Sequence, residues 1–543
     1  MWRFLPLVLL GLQAGAQTIE EKVDQIFAKW NGTTGPGCSL AVIRDGKAIY
    51  QRGYGMADLD HDVPLRADSV FHVASVSKQF TAASIVLLAQ QGRLSLDDPL
   101  RKHLPETPDF GPAITLRQLI HHTSGLRDQW DLLGLAGWRY SLDLITDDDV
   151  MSVVRKQKRL NFPPGDRHLY CNTGYTLLGQ VVKKVTGKSL RAFTAEAIFQ
   201  PLGMISTHFR DDFTEIVPRQ AVGYRWSDSE KAWKVSVTNF NTAGATSLLT
   251  TAVDLALWDR NFQDPKVGGP AFVEQMVQPG KRNNGESLDY AFGLTIGKYK
   301  GLRTVEHGGS DAGYRSVFLR FPDQRFAVAC LCNLAQAAPS ALARQVADLY
   351  LASQLEPAAP PAKEEPVVEL TPAQLAAFAG LYWNEENETA IRAEVKDGKL
   401  MADVVGARAL ELRPLGGGVF RVAGEPVQYR FGERRLAVRV PGREKDNQYA
   451  AVPDYRPTEA QLREFAGRYR SEEIDPVYEI AFEGGKLELR RLKREPEELR
   501  PVIAGAFRTN TGSLRFQRDA RGAVTGFTLN TGRIIGFEFR RER

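Results

Sequence analysis

The chain has 543 residues, of which 43% are hydrophobic and 25% are charged. These fractions are typical of a folded globular protein and exclude a chain that is disordered or fibrous throughout, while the length corresponds to about three domains. The net charge is only +5, and the basic residues are scattered apart from one cluster at 490–494. The charge pattern therefore does not indicate a nucleic-acid partner.

The first 16 residues have the pattern of a secretory signal peptide. Arg3 supplies a positive start, residues 4–12 form an apolar run, and Ala14 and Ala16 precede the expected cleavage point. The apolar run is too short to span a bilayer core about 30 Å thick. We therefore predict that residues 1–16 are removed and that the mature chain keeps no membrane anchor. The protein is then exported, to the periplasm or outside the cell.

Four cysteines are too few for a scaffold built on disulfides. Cys330 and Cys332 alternate within one strand-like segment, FAVACLCN, and Cys38 lies in another. A Cys38–Cys330 or Cys38–Cys332 bond is compatible with export, but the pattern favours buried free thiols. Neither the cysteines nor the histidines have the spacing of zinc ligands, so we expect no metal and no cofactor.

Three zones follow the predicted signal peptide. Residues 17–355 combine strand-like segments such as CSLAVIRDG with helix-like ones such as SKQFTAASIVLLAQQG. Because strands come at both ends of this zone with helices between them, we predict an α+β domain whose sheet joins distant parts of the chain. Residues 356–367 are rich in proline, alanine and charge, which predicts a linker before the third zone.

The third zone contains an internal repeat. Three of its positions recur 87 residues later, namely Gln374, Phe378 and Tyr382 as Gln461, Phe465 and Tyr469. Each copy begins with a short helix-like segment and continues into alternating, strand-like segments separated by turn signals. We therefore predict two small antiparallel β-barrels, at 368–454 and 455–543, because closure removes open sheet edges. One fused β unit is the alternative.

The strongest motif is Ser75-Val-Ser-Lys78, at the start of a long helix-like segment. Residues three apart on a helix share one face, with Cβ atoms roughly 5–6 Å apart. A serine hydroxyl becomes a good nucleophile when a neighbouring group takes its proton. Lys78 can do so as the free amine, and both the positive helix start and burial favour that form. Alone, this spacing is more typical of a helix surface pair.

The second motif is Tyr170-Cys-Asn172, which follows the turn-forming Pro-Pro-Gly at 163–165. A phenol beside an ammonium group can ionise and carry a proton. The asparagine amide both donates and accepts hydrogen bonds. The same tripeptide pattern recurs at Tyr382-Trp-Asn384 inside the β repeat, so the turn context is what favours Tyr170.

The third motif is His307-Gly-Gly309-Ser310, which is followed by strand-like segments. Glycines let a backbone approach a ligand closely, and N–H groups along such an edge can stabilise an oxyanion. By itself, His307 is more typical of a packed or surface histidine.

Together, the order and context of the three motifs resemble those of the serine β-lactamase-like, penicillin-binding hydrolases, which combine Ser-x-x-Lys, Tyr-x-Asn and a Lys/His-x-Gly strand. Further phrases support this, namely ITLRQLIHHTSGL at 114–126, PLGM at 201–204 and SLLTTAVDLALW at 247–258. The resemblance covers about 18–355 and is closest to class C β-lactamase-like enzymes and D-aminopeptidases, in which two lipocalin-like barrels follow the catalytic domain. It implies a β-lactamase/transpeptidase-like antiparallel sheet flanked by helices, with a helical subdomain.

The resemblance also implies catalytic roles. Ser75 would be the nucleophile and form an acyl-enzyme. Lys78 and Tyr170 would share the removal and return of its proton, and the identity of the base stays open between them. His121 and His122, which end a helix in this family, are interpreted as structural.

The implied substrate-binding residues are Asn172, His307, Gly309 and Ser310, with the N–H groups of Ser75 and Ser310 forming the oxyanion hole. Penicillin-binding members of the family carry a lysine where this chain has His307. Because histidine is mostly neutral near pH 7, it anchors a substrate carboxylate less well than lysine does. This favours substrates without that carboxylate, such as amino-terminal residues, amides or esters. The barrels would cover the cleft, with a loop near 471–478 as a lid.

The predicted function is an exported serine hydrolase that acts on small D-amino-acid peptides or amides, as D-aminopeptidases do. The alternatives are a carboxylesterase of the same family, a β-lactamase or DD-peptidase type of penicillin-binding protein with slow turnover, and an inactive scaffold. The expected partner is a small molecule or short peptide. A homo-oligomer is compatible with the sequence.

Overall fold

The structure is a computed structural model that describes residues 17–357, 367–404, 409–422, 425, 427–440 and 445–543. The predicted signal peptide and most of the predicted linker lie outside these residues. The chain divides into two compact units. The first comprises the described residues up to Arg93, Thr186–Gly280 and Asp289–Glu356. The second comprises Leu94–Val185, Lys281–Leu288 and the described residues from Pro357 to Arg543.

A six-stranded antiparallel sheet forms the centre of the first unit. Its strands, in spatial order, are Thr295–Tyr299, Leu302–Asp311, Tyr314–Phe321, Phe326–Cys332, Cys38–Arg44 and Lys47–Tyr54. The strand nearest the N-terminus therefore pairs with the last strand of the sheet. This confirms the predicted α+β domain with a sheet built from distant parts of the chain.

Helices cover this sheet. Ile19–Ile26 and Pro339–Tyr350 contribute side chains to the apolar core on one face, and Ala252–Gln263 also contacts the sheet strands. All seven residues of Phe326–Cys332 are buried, so both faces of the sheet are covered here. The other helices of the unit are Lys78–Gln90, Leu190–Thr194, Gln200–Leu202 and Gly269–Met276, with 3₁₀ turns at Ala28–Trp30, Ala74–Ser77 and Pro322–Gln324 and a π-helical turn at Ala195–Phe199.

Short strands complete the first unit: Met56–Asp58, Val63–Pro64, Phe71–His72, His208–Phe209, Tyr224–Ser227, Ala232–Val235, Phe240–Asn241 and Leu248–Thr250. Of these, Phe71–His72 pairs with Leu248–Thr250 just before the Ser75 turn. The pairing fixes the direction from which the chain enters that turn.

The cysteines correct one prediction. The sequence favours free thiols, whereas the structure pairs Cys38 with Cys332, one of the two alternatives, in a disulfide between adjacent strands. The two residues face each other across the antiparallel pair, which brings their Cα atoms within 4.0 Å. The register that joins these strands was not apparent from the cysteine spacing. Cys330 and Cys171 are buried free thiols.

The second unit contains a helical region and both repeats. The helices of the region are Leu100–His103, Leu116–Ile120, Gln129–Leu135, Asp147–Arg155 and Asn172–Thr186, with a short strand at Ile145–Thr146. Thr115 and Thr146 start two of these helices with capping boxes, in which side chain and backbone exchange hydrogen bonds.

Each repeat forms a closed eight-stranded antiparallel barrel. The first consists of Gly380–Asn384, Thr389–Lys396, Lys399–Val404, Leu410–Gly416, Val419–Val422, Gln428–Gly432, Arg435–Arg439 and Asn447–Val452. The second consists of Gly467–Arg470, Val477–Glu483, Lys486–Arg490, Glu497–Ile503, Ala506–Arg508, Ser513–Arg518, Val524–Asn530 and Phe537–Arg541. Short helices, Pro372–Ala376 and Glu459–Arg463, precede them. The prediction of two barrels is confirmed.

The repeat extends to local contacts. Thr371 and Thr458 each cap the leading helix in a capping box. The Tyr382 hydroxyl donates to the Phe378 carbonyl at 3.0 Å, and the Tyr469 hydroxyl donates to the Phe465 carbonyl at 2.7 Å. The repeated residues therefore make the same hydrogen bonds in both copies.

Among the helices that the structure describes, none is both long and apolar enough to cross a membrane.

Candidate active site

Ser75 lies in the 3₁₀ turn Ala74–Ser77, which leads directly into the helix Lys78–Gln90. Ala74 has a φ of +48°, a conformation that costs a non-glycine residue free energy and is common at functional sites. Ser77 secures the turn, since its hydroxyl accepts a hydrogen bond from the Leu248 N–H at 3.0 Å. Ser75 therefore lies in a tight turn that a hydrogen bond holds in place, rather than on the surface of a regular helix.

Lys78 is fully buried at the start of this helix. Its Nζ donates to Ser75 Oγ at 3.0 Å and to the carbonyl of Ala245 at 2.6 Å. The predicted proximity of the two side chains is thus present, and the burial excludes the alternative of an exposed surface pair. The amine is positioned to exchange a proton with the hydroxyl.

His307, Gly309 and Ser310 lie on the strand Leu302–Asp311, whose two edges differ along its length. Thr295–Tyr299 pairs only with its first half, up to Glu306. On its other edge, residues 307–311 pair with the next strand of the sheet. Within the described sheet, residues 307–311 therefore have a strand partner on one side only. Backbone groups on such an edge can bind an extended substrate or an oxyanion.

Gly309 brings this strand against the Ser75 turn. A Cβ atom at Gly309 would lie 2.2 Å from the Val73 carbonyl oxygen and 2.3 Å from Ser316 Oγ. No side chain fits at that distance, so glycine is required by the close approach. Ser316 also accommodates the turn, because its hydroxyl donates to the Val73 carbonyl at 2.8 Å. Ser310 is exposed next to this contact.

His307 is buried, and its two ring nitrogens are both engaged. Nδ1 lies 2.6 Å from the Gly308 carbonyl and Nε2 lies 2.9 Å from the Tyr290 hydroxyl. These contacts fit a neutral ring with the proton on Nδ1, because a carbonyl can only accept. Burial, together with the charge of Lys78, lowers the pKa of His307 to about 4. The side chain is therefore neutral at pH 7.

A buried polar network ties three segments of the first unit together. His72 Nε2 lies 2.8 Å from Asp311 Oδ2 and 3.1 Å from Thr246 Oγ1, and the Thr246 hydroxyl also donates to Asp311. His72 precedes the Ser75 turn, Asp311 follows Ser310, and Thr246 follows Ala245, the acceptor of Lys78. The network therefore holds in register the segments that carry the candidate residues.

A cavity of about 350 Å³ opens beside this network. Its wall includes His72, Arg210, Gln220, Val237 and Tyr314. This volume lies at the lower end of the range that is typical of small-molecule sites.

Tyr170 and Asn172 lie in the second unit, at the start of the helix Asn172–Thr186. The predicted turn precedes them, and Gly165 there has a φ of +86°. Tyr170 is half-buried, and its ring packs on His122 with the ring centroids 4.2 Å apart. His122 Nδ1 accepts a hydrogen bond from the Cys171 N–H at 3.1 Å, and the Leu169 N–H donates to the His122 carbonyl. His122 thus positions the tyrosine segment from both sides.

Asn172 is fixed by a carboxylate. Its N–H and its Nδ2 donate to Asp128 Oδ2, at 2.7 and 2.8 Å. Asp128 is fully buried and also caps the helix Gln129–Leu135 through the Trp130 N–H. Burial raises the pKa of Asp128, while the charge of Arg533 opposes that rise. The orientation of Asn172 therefore depends on this buried acid.

The sequence motifs did not predict four residues of the site, namely His72, Asp128, Tyr290 and Asp311. Only Asp128 carries a local signal, since an aspartate before a helical segment is a typical cap. The others act through partners distant in the sequence. Of the site residues predicted from the sequence, two belong to the second unit, namely Tyr170 and Asn172. The other five belong to the first unit: Ser75, Lys78, His307, Gly309 and Ser310.

Residues 17–352, well over half of the chain, match the family model described as Beta-lactamase. The chain belongs to the beta-lactamase family. The chain is 28% identical over 447 residues to penicillin-binding protein 4* of Bacillus subtilis (strain 168), an alignment that covers 78% of this chain and 94% of that protein. It is 26% identical over 548 residues to a D-aminopeptidase of Brucella canis, covering 96% of this chain and 98% of the relative.

Among solved structures, the fold resembles that of an octameric penicillin-binding protein homologue from Pyrococcus abyssi. The TM-score is 0.56 and the identity 24%, over 79% of this chain and 99% of the other. The β-lactamase/transpeptidase-like fold implied by the motifs is thereby confirmed.

Proposed function

We propose that this member of the beta-lactamase family is an exported serine hydrolase that cleaves small D-amino-acid peptides or amides through an acyl-enzyme on Ser75. The observation that carries the proposal is the fully buried Lys78, whose Nζ lies 3.0 Å from Ser75 Oγ. The full-length similarity to a relative named D-aminopeptidase supports the substrate class and accounts for both barrels.

In the proposed acylation, Ser75 Oγ forms a bond to the substrate carbonyl carbon as its proton passes to Lys78 or Tyr170. The C–N bond then breaks, and the leaving amine departs with that proton. The oxyanion is stabilised by the N–H groups of Ser75 and Ser310. Water next attacks the acyl carbon and gives up a proton to the same base. The bond to Oγ breaks, and Ser75 Oγ takes up that proton as the acid product leaves.

The neutral His307 supports a substrate that brings no carboxylate to that strand. With a pKa of about 4 and both ring nitrogens already engaged by Gly308 and Tyr290, its ring brings no positive charge to the site at pH 7. The edge at 307–311 that has no strand partner in the described sheet suits the extended backbone of a peptide or amide. The same neutral ring is compatible with a carboxylic ester, which makes an esterase the second candidate.

Export and assembly belong to the proposal as well. Residues 1–16 carry the signal-peptide pattern that supports export to the periplasm or beyond. A homo-oligomer is supported by the similarity to a homologue described as octameric.

The test compares three substrates with the wild type and with Ser75→Ala. We expect p-nitroaniline release from D-alanyl p-nitroanilide, little release from the L-enantiomer, and none in the variant. Hydrolysis of p-nitrophenyl butyrate alone would select the esterase. A long-lived fluorescent penicillin adduct on Ser75, without turnover of either substrate, would select the slow penicillin-binding protein. Wild-type activity in Ser75→Ala would refute the assignment.

A further inference from the structure

The second barrel places a guanidinium beside the candidate catalytic tyrosine. Arg533 lies in the loop Thr531–Gly536, between the last two strands of that barrel. Its guanidinium carbon is 5.1 Å from the centroid of the Tyr170 ring. Arg533 and Tyr170 belong to the same compact unit, and 363 residues separate them in the sequence.

The loop is docked by its backbone rather than by the Arg533 side chain. Asn161 Nδ2 donates to the Arg533 carbonyl at 3.0 Å, and Asn161 Oδ1 accepts from the Ile535 N–H at 2.8 Å. The Arg533 N–H donates to Asp131 Oδ2 at 3.2 Å, and the Thr531 hydroxyl donates to the same oxygen. Arg127 donates to the carbonyl of Gly536 at 3.3 Å. These contacts would persist if the guanidinium were removed.

The guanidinium itself is weakly engaged. Its nearest acidic atom is Asp128 Oδ2, 3.6 Å from Nη1, which is beyond hydrogen-bond distance. That oxygen already accepts two hydrogen bonds from Asn172. The Arg533 side chain remains 40% exposed, and among the described residues its five N–H donors make no hydrogen bond. A half-exposed fork of this kind can bind a carboxylate in two-point fashion.

We propose that Arg533 binds the carboxylate of the leaving group, so that the preferred substrates are short peptides with a free C-terminal carboxylate. This inference rests on the proposed function. If Tyr170 takes part in returning the proton to the leaving amine, that nitrogen lies near the phenol. In a leaving amino acid, only the α-carbon separates the amine from the carboxylate, so a cation beside Tyr170 lies beside that carboxylate.

The proposal also explains how this chain can dispense with a lysine at the position of His307. The positive charge that recognises the carboxylate is supplied by the second barrel instead of the sheet. Dipeptides with an amino-terminal D-residue are then favoured over the corresponding amides.

The experiment measures binding to Ser75→Ala, so it does not depend on turnover. Calorimetry compares D-alanylglycine with D-alanylglycinamide, which differ only in the terminal carboxylate. We expect the acid to bind roughly 10- to 100-fold more tightly than the amide, as is usual for charge-assisted hydrogen bonds. Adding Arg533→Gln should abolish the difference, and Arg533→Lys should restore part of it because the charge returns without the fork.

The control is Arg540→Gln, an exposed arginine of the same barrel 3.7 Å from Glu472, which should leave both affinities unchanged. Equal binding of acid and amide to Ser75→Ala, or a preference that survives Arg533→Gln, would overturn the proposal. The leaving group of D-alanyl p-nitroanilide has no carboxylate. Hydrolysis of this substrate by the wild type therefore tests the proposed function separately. The two proposals can therefore fail independently.

Discussion

Lys78 and Tyr170 are held in place by different forces. Lys78 belongs to a helix in which residues 78–88 are all buried, so an apolar core fixes its backbone. Tyr170 lies in an irregular segment and is held by a histidine ring, a neighbouring turn and a guanidinium from the second barrel. Lys78 is therefore positioned by local packing, whereas Tyr170 depends on a domain more than 280 residues further along the chain.

The largest effect is expected where packing and chemistry coincide. Lys78→Met removes the amine and keeps most of the volume. We expect a 10²- to 10⁴-fold loss of D-alanyl p-nitroanilide hydrolysis, the usual scale for a proton-transfer group. The Tm should not fall, because a buried amine is costly to desolvate. Lys188→Met, at an exposed lysine, is the control. A variant that keeps a tenth of the activity would contradict a role for Lys78 in proton transfer.

The second prediction tests the dependence of Tyr170 on the barrel. Arg127 and Glu473 form a buried ion pair between the helical region and the second barrel, with side chains 1% and 7% exposed. Glu473→Met leaves the arginine charge buried without its partner, and should lower the free energy of unfolding by about 3–5 kcal/mol. Activity should fall with it, because Arg127 also binds the Arg533 loop.

The matched control for that variant is Lys158→Met, which breaks the exposed pair with Glu472 on the same surface. Exposed pairs are worth about 1 kcal/mol or less. Denaturant unfolding of the full chain measures both. If Glu473→Met lowers the free energy of unfolding no more than Lys158→Met does, this ion pair does not hold the barrel in place. The contrast with Lys78 then disappears.

The third prediction concerns the contact between the His307 strand and the Ser75 turn. Gly309→Ala forces a methyl group against the Val73 carbonyl, which should cost about 1–3 kcal/mol in stability and lower kcat. Gly308→Ala is the neighbouring control, because its nearest atom would be 3.7 Å away. Equal effects of the two substitutions on kcat and unfolding would show that the close approach is unimportant.

The smallest effect is a pH dependence. Between the ordinary pKa of histidine and about 4, the unfolded chain binds a proton at His307 that the folded chain does not. Stability should therefore fall as the pH falls through this window, by about 1–2 kcal/mol between pH 7 and 5. His307→Gln should remove that part of the loss, as measured by denaturant unfolding at both pH values.

The control is the exposed His61, whose pKa is raised by its hydrogen bond to Asp58, a shift of the opposite sign. His61→Gln should not reduce the loss of stability on acidification. A wild-type loss that is unchanged in His307→Gln would mean that the ring is protonated in the folded protein at pH 5.

Local patterns in the sequence were enough to predict much of the fold. The recurrence of Gln374, Phe378 and Tyr382 as Gln461, Phe465 and Tyr469 predicted two barrels. The tyrosine and phenylalanine of each copy make the same hydrogen bond. The Ser75–Lys78 spacing predicted a pair that is indeed within hydrogen-bond distance.

What sequence reasoning missed depends on long-range contacts. His72 meets Asp311 across 239 residues, and Asp128 meets Asn172 across 44. The Cys38–Cys332 disulfide needs the register of two strands that no local pattern specifies. No sequence pattern marks Arg533 as a site residue, because its position beside Tyr170 follows only from the docking of its loop.

The position of the strand Cys38–Arg44 has a consequence for the biogenesis of the protein. This strand lies between Lys47–Tyr54 and Phe326–Cys332, so one of its two neighbours is made almost 300 residues later. A chain that emerges N-terminus first cannot complete its central sheet until that neighbour has left the ribosome. Until then, an apolar strand edge is open to pairing with other chains. The sheet is therefore completed only after residue 332 has been made, when synthesis has still to reach the two barrels.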